Sequence, residues 1–353
     1  MNFFLSKNFR YFLLTAVVVV GVFLVCEILL RVAGFQYDTR PRYLEFNFPN
    51  PHELREIFEP DAILLWKLRP GMVMGEGIEP INSKGFRGRE FADEKPKGRI
   101  RIIAVGDSVT FGAEMSYPAL LEECLGSSYE VINAGVPGYS SFQGLKLLEK
   151  YLPAYQPDVL IVMYGWNDHW LAWGFSDSEQ KFSFADTSRR FSLLRELKIF
   201  QFLAWLLSGT ERITPSKFRV SLNEYRANIQ QIIALANAHG AKVMLLTAPS
   251  ALSLGVVPDF LFHLKFIDDN PDSPQSQTAM RLKKLHESYN DVVRGIAAEN
   301  PDVKLVDISK QWDGLDVSKF FRNPSKDVIH PNGDGYRLIA RTICDTILKE
   351  KTF

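Results

Sequence analysis

Five residues of this chain carry groups suited to acyl chemistry: Ser108, Gly135, Asn167, Asp327 and His330. A serine hydroxyl attacks a carbonyl when a base takes its proton, and imidazole does this near neutral pH. Asp327 and His330 stand three apart in SKDVIHPNGDGYRLIA, so one turn of chain brings them together. The carboxylate can then accept from one ring nitrogen and fix the tautomer, leaving the other nitrogen to receive the Ser108 proton. Gly135, in NAGVPGYSS, has no side chain to keep its N–H from a reacting oxygen. Asn167, in YGWNDHW, can aim its amide at the same oxygen. Taken singly, each has a structural reading: Asp107 or Ser108 as a helix N-cap, Gly135 as a turn, Asn167 as an Asx-turn, His330 as an exposed loop histidine. His169, beside Asp168, is expected at the surface or in a cap, and Trp166, Trp170 and Trp173 in the core or a pocket wall.

The elements that must position these residues decide the matter. Strand-like runs IRIIAV, YEVINAG, PDVLIVMYG, AKVMLLTAP and VKLVDIS alternate with helix-like YPALLEECL, FQGLKLLEKYL, SLNEYRANIQQIIALANAHG, AMRLKKLHESYNDVVRGIAAEN and GDGYRLIARTICDTILKE. Five apolar strands alternating with helices predict a parallel sheet covered on both faces. Such sheets gather their sites at the carboxyl ends of the strands. Ser108, Gly135, Asn167 and the Asp327–His330 pair all follow strand ends, so they converge. Insertions of about fifty residues near 170–220 and about thirty near 250–278 also follow strand ends and should overhang the site.

Composition narrows the function. The 353 residues are 46% hydrophobic and 23% charged, with 41 basic and 41 acidic side chains. That balance argues against a nucleic-acid binder. The three cysteines form no CxxC, and the six histidines form no HxH or HExxH, so neither a metal nor another cofactor is expected. GxSxG, GxGxxG and Walker A patterns are absent.

The N-terminus differs from the rest. YFLLTAVVVVGVFLVCEILL runs from Tyr11 to Leu30 with Glu27 its single charge, long enough to cross a bilayer core of about 30 Å. Glu27 can pair with Arg31 one turn on. No small-residue cleavage site is evident between Cys26 and Gly34, so residues 1–35 read as an uncleaved signal anchor with the large domain outside the cytoplasm. Residues 36–98 read as an extended lead-in ending in the polar linker ADEKPKG, and 99–353 as the catalytic domain. FSLLRELKIFQFLAWLL, Phe191 to Leu207, is apolar on nearly every side and is expected to be a packed lid or core helix, with membrane or acyl-chain contact as the alternative.

The chain resembles the SGNH subgroup of the GDSL hydrolases over roughly Ile100 to Leu348. GDS is the first block of that pattern, NAGVPGYS the second, GWND the third and DVIHPN the last. The first block reads GDSV here rather than GDSL, a small change behind the nucleophile. The resemblance implies a flavodoxin-like three-layer α/β/α sandwich around a five-stranded parallel sheet. It implies Ser108 as nucleophile, His330 as base, Asp327 as its orienter, and an oxyanion hole from Ser108, Gly135 and Asn167. In that order of strands Cys124 and Cys344 share one face of the sheet. A disulfide is open to them outside the cytoplasm, and two buried free thiols are the expectation.

Three functions remain in play: hydrolysis of a small-molecule, glycan or lipid ester, acyl transfer by the same residues, or glycan binding without catalysis. The complete residue set argues against the third, since a binding module has no need of Asp327 and His330 together. The sequence names no protein partner.

Overall fold

The computed structural model describes residues 7–35, 57–61, 63–75, 77–172, 176–179, 194, 197–207, 217–263, 266–268 and 278–350. The chain divides into two compact units, residues 1–41 with 185–213, and residues 42–184 with 214–353. In chain order the elements of the first are α1 (Lys7–Val32) and, from the insertion, α5 (Lys198–Leu207).

The larger unit opens with β1 (Phe58–Asp61) and β2 (Leu65–Leu68). Then come β3 (Ile100–Gly106), α2 (Ser108–Phe111), α3 (Tyr117–Leu125), β4 (Tyr129–Gly135), α4 (Ser141–Tyr155) and β5 (Val159–Met163). β6 (Leu171–Ala172) and β7 (Lys217–Phe218) follow, and then α6 (Leu222–Ala238), β8 (Lys242–Leu246), α7 (Asp259–His263), α8 (Ala279–Glu299), β9 (Val303–Val306), α9 (Ile308–Gln311) and α10 (Gly333–Glu350).

Five strands form one parallel sheet in the order β4-β3-β5-β8-β9. This is the flavodoxin-like arrangement the family resemblance implies. Along β3, Ile103 and Val105 enter one core cluster while Ile102 and Ala104 enter the other. The period-two pleat thus buries both faces, which is why the strand reads as a continuous apolar run. α4, α6 and α8 cover the first face and α3 and α10 the second. All five expected strands and their helices are present.

Four features depart from the sequence reading. The expected lead-in carries an antiparallel hairpin, β1 with β2, whose turn is closed by Asp61 Oδ1 accepting from the N–H groups of Ile63 and Leu64, each at 2.9 Å. Phe58, Leu64, Leu65, Trp66 and Leu68 enter the main core. Four-residue strands have too little periodicity to be seen in advance. The polar linker is tied down by the buried Arg101, which donates to the carbonyls of Ala92 (2.7 Å) and Asp93 (2.8 Å) and pairs with Glu130 at 2.6 Å.

Cys124 on α3 and Cys344 on α10 form a disulfide, their Cα atoms 6.3 Å apart, correcting the expectation of free thiols. The two helices pack directly on one another, which brings the thiols into reach. His169 is buried rather than superficial, because Trp166, Trp170 and, from α8, His286 and Tyr289 pack around its ring. Its Nε2 lies 3.1 Å from His286 Nδ1, and His286 Nε2 lies 2.9 Å from the Ala248 carbonyl. A carbonyl only accepts, so the proton on His286 sits at Nε2 and His169 donates from Nε2, both rings being neutral.

The fourth departure is α5, which has no buried residue, against the packed-core reading of Phe191–Leu207. Residues 191–193 and 195–196 of that stretch, and Trp173, lie outside the described residues. The base of this first insertion is closed by β6 pairing antiparallel with β7.

Candidate active site

Ser108 owes its position to a sharp strand-to-helix turn. β3 ends at Gly106, and Asp107 caps α2 by accepting from the Val109 N–H at 2.8 Å. A Cβ at Gly106 would lie 2.6 Å from the Met163 carbonyl oxygen and run into Thr110, so only glycine lets the helix fold back this closely. Ser108 is the first residue of α2, where the N–H has no partner within the helix.

The chain between β9 and α10 delivers the other two groups. Asp327 Oδ1 accepts from the N–H of Ile329 (2.9 Å) and of His330 (3.1 Å), making a tight local turn. That turn leaves Asp327 Oδ2 2.8 Å from His330 Nδ1 and brings His330 Nε2 2.8 Å from Ser108 Oγ. A carboxylate only accepts, so Nδ1 carries the proton and the Nε2 lone pair receives the Ser108 hydroxyl.

The electrostatics favour a basic imidazole. Burial disfavours the charged ring, but the hydrogen bond and charge of Asp327, with the charge of Asp107 behind, hold His330 above its ordinary pKa. Burial works against the Asp327 carboxylate too, and its bonds to His330 and two backbone N–H groups still bring its pKa below the usual range. Asp107, fully enclosed under the turn, is pushed up to about 6 by burial.

The two expected oxyanion donors fare differently. Gly135 does not offer its N–H: that group donates to Asn133 Oδ1 at 3.0 Å. A Cβ at Gly135 would run into the Phe111 backbone N, so this glycine exists to let β4 pass beneath α2. The next glycine in the same block, Gly138, occupies a half-buried turn. Gly138 has φ +80°, follows Pro137 on the groove wall, and sits in a turn closed by the Tyr139 N–H on the Val136 carbonyl at 3.1 Å. Among the described residues nothing accepts the Gly138 N–H. Asn167 donates one amide hydrogen to the Tyr139 carbonyl (3.0 Å) and accepts from Trp170 Nε1 (3.0 Å), which fixes the side chain and leaves its second amide hydrogen.

Three supporting residues escaped the sequence reading. Asp168 accepts from Ser141 N (2.9 Å), Ser141 Oγ (2.5 Å) and Gly165 N (3.1 Å), tying the second block to the third. Burial raises it to about 7 even so. Asn133 Nδ2 donates to the Phe111 carbonyl at 3.1 Å. Arg87, from the segment before β3, donates through Nη1 to the carbonyls of Phe111 (2.9 Å) and Gly112 (2.8 Å). The Asn-Ala-Gly tripeptide at the end of β4 was a signal for Asn133, whereas nothing in SKGFRGREF marked Arg87.

A groove of about 410 Å³ opens over Ser108, Asp327 and His330, walled by Phe111, Met115, Pro137, Pro331 and Tyr336. Arg322 and Glu114 form an ion pair at its rim. Gly135, Gly138 and Asn167 do not line it, though Gly138 follows the wall residue Pro137.

A parallel α/β sheet with this cluster at its carboxyl edge has the architecture of an ester-bond hydrolase. The chain belongs to the GDSL-like Lipase/Acylhydrolase family, which matches residues 104–338, from within β3 to within α10. It is 38% identical over 71 residues to thioesterase 1/protease 1/lysophospholipase L1 of Escherichia coli strain K12, a stretch covering 19% of this chain and 34% of that protein. The match thus spans about a third of the length of that relative.

Among solved structures it is similar to a lipase/acylhydrolase from Enterococcus faecalis, with 20% identity, TM-score 0.41, and coverage of 70% of this chain and 95% of the other. A GDSL-like lipase from Bacteroides thetaiotaomicron gives 18%, 0.44, 74% and 93% for the same quantities.

Proposed function

We propose that the chain hydrolyses an ester through an acyl-enzyme on Ser108, with His330 as general base and Asp327 as the residue that orients and charges that base. The observation carrying this reading is the unbroken series from Ser108 Oγ through both nitrogens of His330 to Asp327, with 2.8 Å at each hydrogen bond. His330 Nε2 takes the hydroxyl proton as Oγ attacks the ester carbonyl. The resulting oxyanion is met by the N–H of Ser108, the N–H of Gly138 and the free amide hydrogen of Asn167, Gly138 standing where Gly135 was expected. Each such donor contributes about 3 kcal/mol in the transition state. The protonated His330 then hands its proton to the departing alcohol. Water, deprotonated by the same ring, releases the acid.

The groove suits a modest acyl group against Phe111, Met115 and Tyr336, with the alcohol portion, on a glycan or a lipid, toward the Arg322–Glu114 rim. The helix α1 is taken as a retained anchor, with the hydrolase unit outside the cytoplasm. The Cys124–Cys344 disulfide supports that side, since such bonds persist in oxidising compartments.

The test is labelling of the folded chain with a fluorophosphonate, together with acid release from short-chain, long-chain and glycan-borne esters without any added acceptor. Labelling that is lost in S108A, with activity lower by about 10³-fold or more, is expected. Labelling retained in S108A, or no free acid while the acyl group passes to an added acceptor sugar, would overturn the hydrolase reading.

A further inference from the structure

The smaller unit carries apolar surface that ester hydrolysis does not use. α1 is apolar over Phe9–Val32, with mean hydropathy 2.8 and none of that stretch buried. α5 has ten residues, about 15 Å of helix, half of what a bilayer core requires. Leu203, Trp205, Leu206 and Leu207 are all exposed on it. Its polar side chains, Lys198 and Gln201, lie in its first turn and bond to each other at 3.2 Å.

The two helices meet at the lone acid of the span. Glu27 Oε2 accepts the N–H of Ile199 at 2.8 Å, while Oε1 accepts from Arg31 at 2.8 Å. Phe35, just past α1, packs edge-on against Phe202 and Trp205, with ring centroids 5.7 and 6.2 Å apart. A carboxylate on an apolar span needs partners, and the first N–H groups of a helix need acceptors. Each helix answers the other's need, across a sequence separation of 172 residues. Glu27 lies five residues before the end of α1 at Val32, about 8 Å along the axis, so the junction falls at the boundary layer rather than at the bilayer centre. An exposed tryptophan and leucines beside a spanning helix at that depth suit the interface.

We infer that α5 is a second membrane-seated element: it docks on the C-terminal end of α1 and immerses Leu203, Trp205, Leu206 and Leu207 in the interfacial layer of the same bilayer. The occupant of this apolar face is lipid, because the face is continuous with a helix of spanning length. The chain is thereby held at the membrane at two points of its sequence. This rests on α1 being retained, and is independent of the chemistry at Ser108.

The test uses the full chain in phosphatidylcholine–phosphatidylglycerol vesicles, with C26S removing the free thiol. An environment-sensitive fluorophore is attached through L206C and, as a control on the larger unit, through M280C. The L206C probe is expected to be quenched by lipid-borne nitroxides and to show a several-fold smaller iodide quenching constant than the M280C probe. Equal iodide access at the two positions, with no lipid quenching, would overturn the inference. Protection of L206C that persists in detergent and comes with energy transfer between chains would overturn it in favour of a second copy. Intact mass is measured first: loss of α1 would overturn the retained anchor and this inference together, while retention confines any failure to α5.

Discussion

Arg87 Nη1 lies 2.9 Å from the carbonyl oxygen of Phe111 and 2.8 Å from that of Gly112, so a residue outside the family's matched region grips the end of the helix that starts with Ser108. Its guanidinium is fully buried and also lies over the Phe111 ring, 5.0 Å from the centroid. Truncation leaves two carbonyls without this donor and lets α2 shift. Arg87→Ala is expected to lower kcat by roughly 10–100-fold with KM little changed, since small misplacements of a reacting group are costly. Arg87→Lys, keeping one donor, should recover part of the loss. Steady-state kinetics beside a melting curve separates this from plain destabilisation: a lowered Tm with unchanged kcat at 25 °C would place Arg87 in the fold alone.

The His330–Asp327 pair predicts the pH dependence. The proposed mechanism needs His330 neutral, and its pKa is held above the ordinary value because Asp327 outweighs burial. The rising limb of kcat/KM should therefore lie above the pH of a free histidine. Asp327→Asn removes the charge and leaves burial dominant, so the limb should move to lower pH while kcat falls by about 10⁴-fold. A pH–rate profile of the residual activity checks the sign, and a limb that stays put would remove Asp327 from this role.

Asn167→Ala should lower kcat by about 10²–10³-fold and leave KM nearly unchanged, as expected for a donor used only in the transition state. Gly135→Ala should act differently. Its Cβ would meet the Phe111 backbone, so the variant should lose thermal stability as well as rate. Melting curves of the two variants distinguish them: Asn167→Ala should melt near the parent temperature.

Reduction of the Cys124–Cys344 bond should cost about 2–5 kcal/mol, because it frees a long loop in the unfolded chain. Calorimetry with and without reductant measures this, and a non-reduced peptide map checks the pairing. Activity at 25 °C should survive reduction, since the sulfur atoms do not line the groove.

Much of the sheet was legible in the sequence, for a physical reason. Buried parallel strands are apolar on both faces, so β3 and β5 announce themselves as runs of Ile and Val. The convergence of Ser108, Asp327 and His330 was legible because they sit at strand ends and in a three-residue spacing. Gly135 misled because two glycines share one short block, and only the backbone reveals which N–H is taken. Arg87 and the β1–β2 hairpin were hidden because their contacts span long sequence separations and leave no local period. The disulfide depended on how closely α3 and α10 pack, which a pattern of apolar residues does not specify.

The disulfide has a mechanical consequence. It closes residues 124–344 into a covalent ring that contains β4, β5, β8 and β9. β3 is the one strand of the sheet outside that ring, yet it is hydrogen-bonded between β4 and β5. Tension drawn along the chain from its N-terminal side cannot extend the ring. Once the bonds from the β1–β2 hairpin to Pro137, Tyr139 and Gln143 have given way, it must shear β3 past two ring-bound neighbours at once, with Ser108 just beyond the far end of the strand. Load on the chain before β3 is thereby delivered to the strand whose end places Ser108.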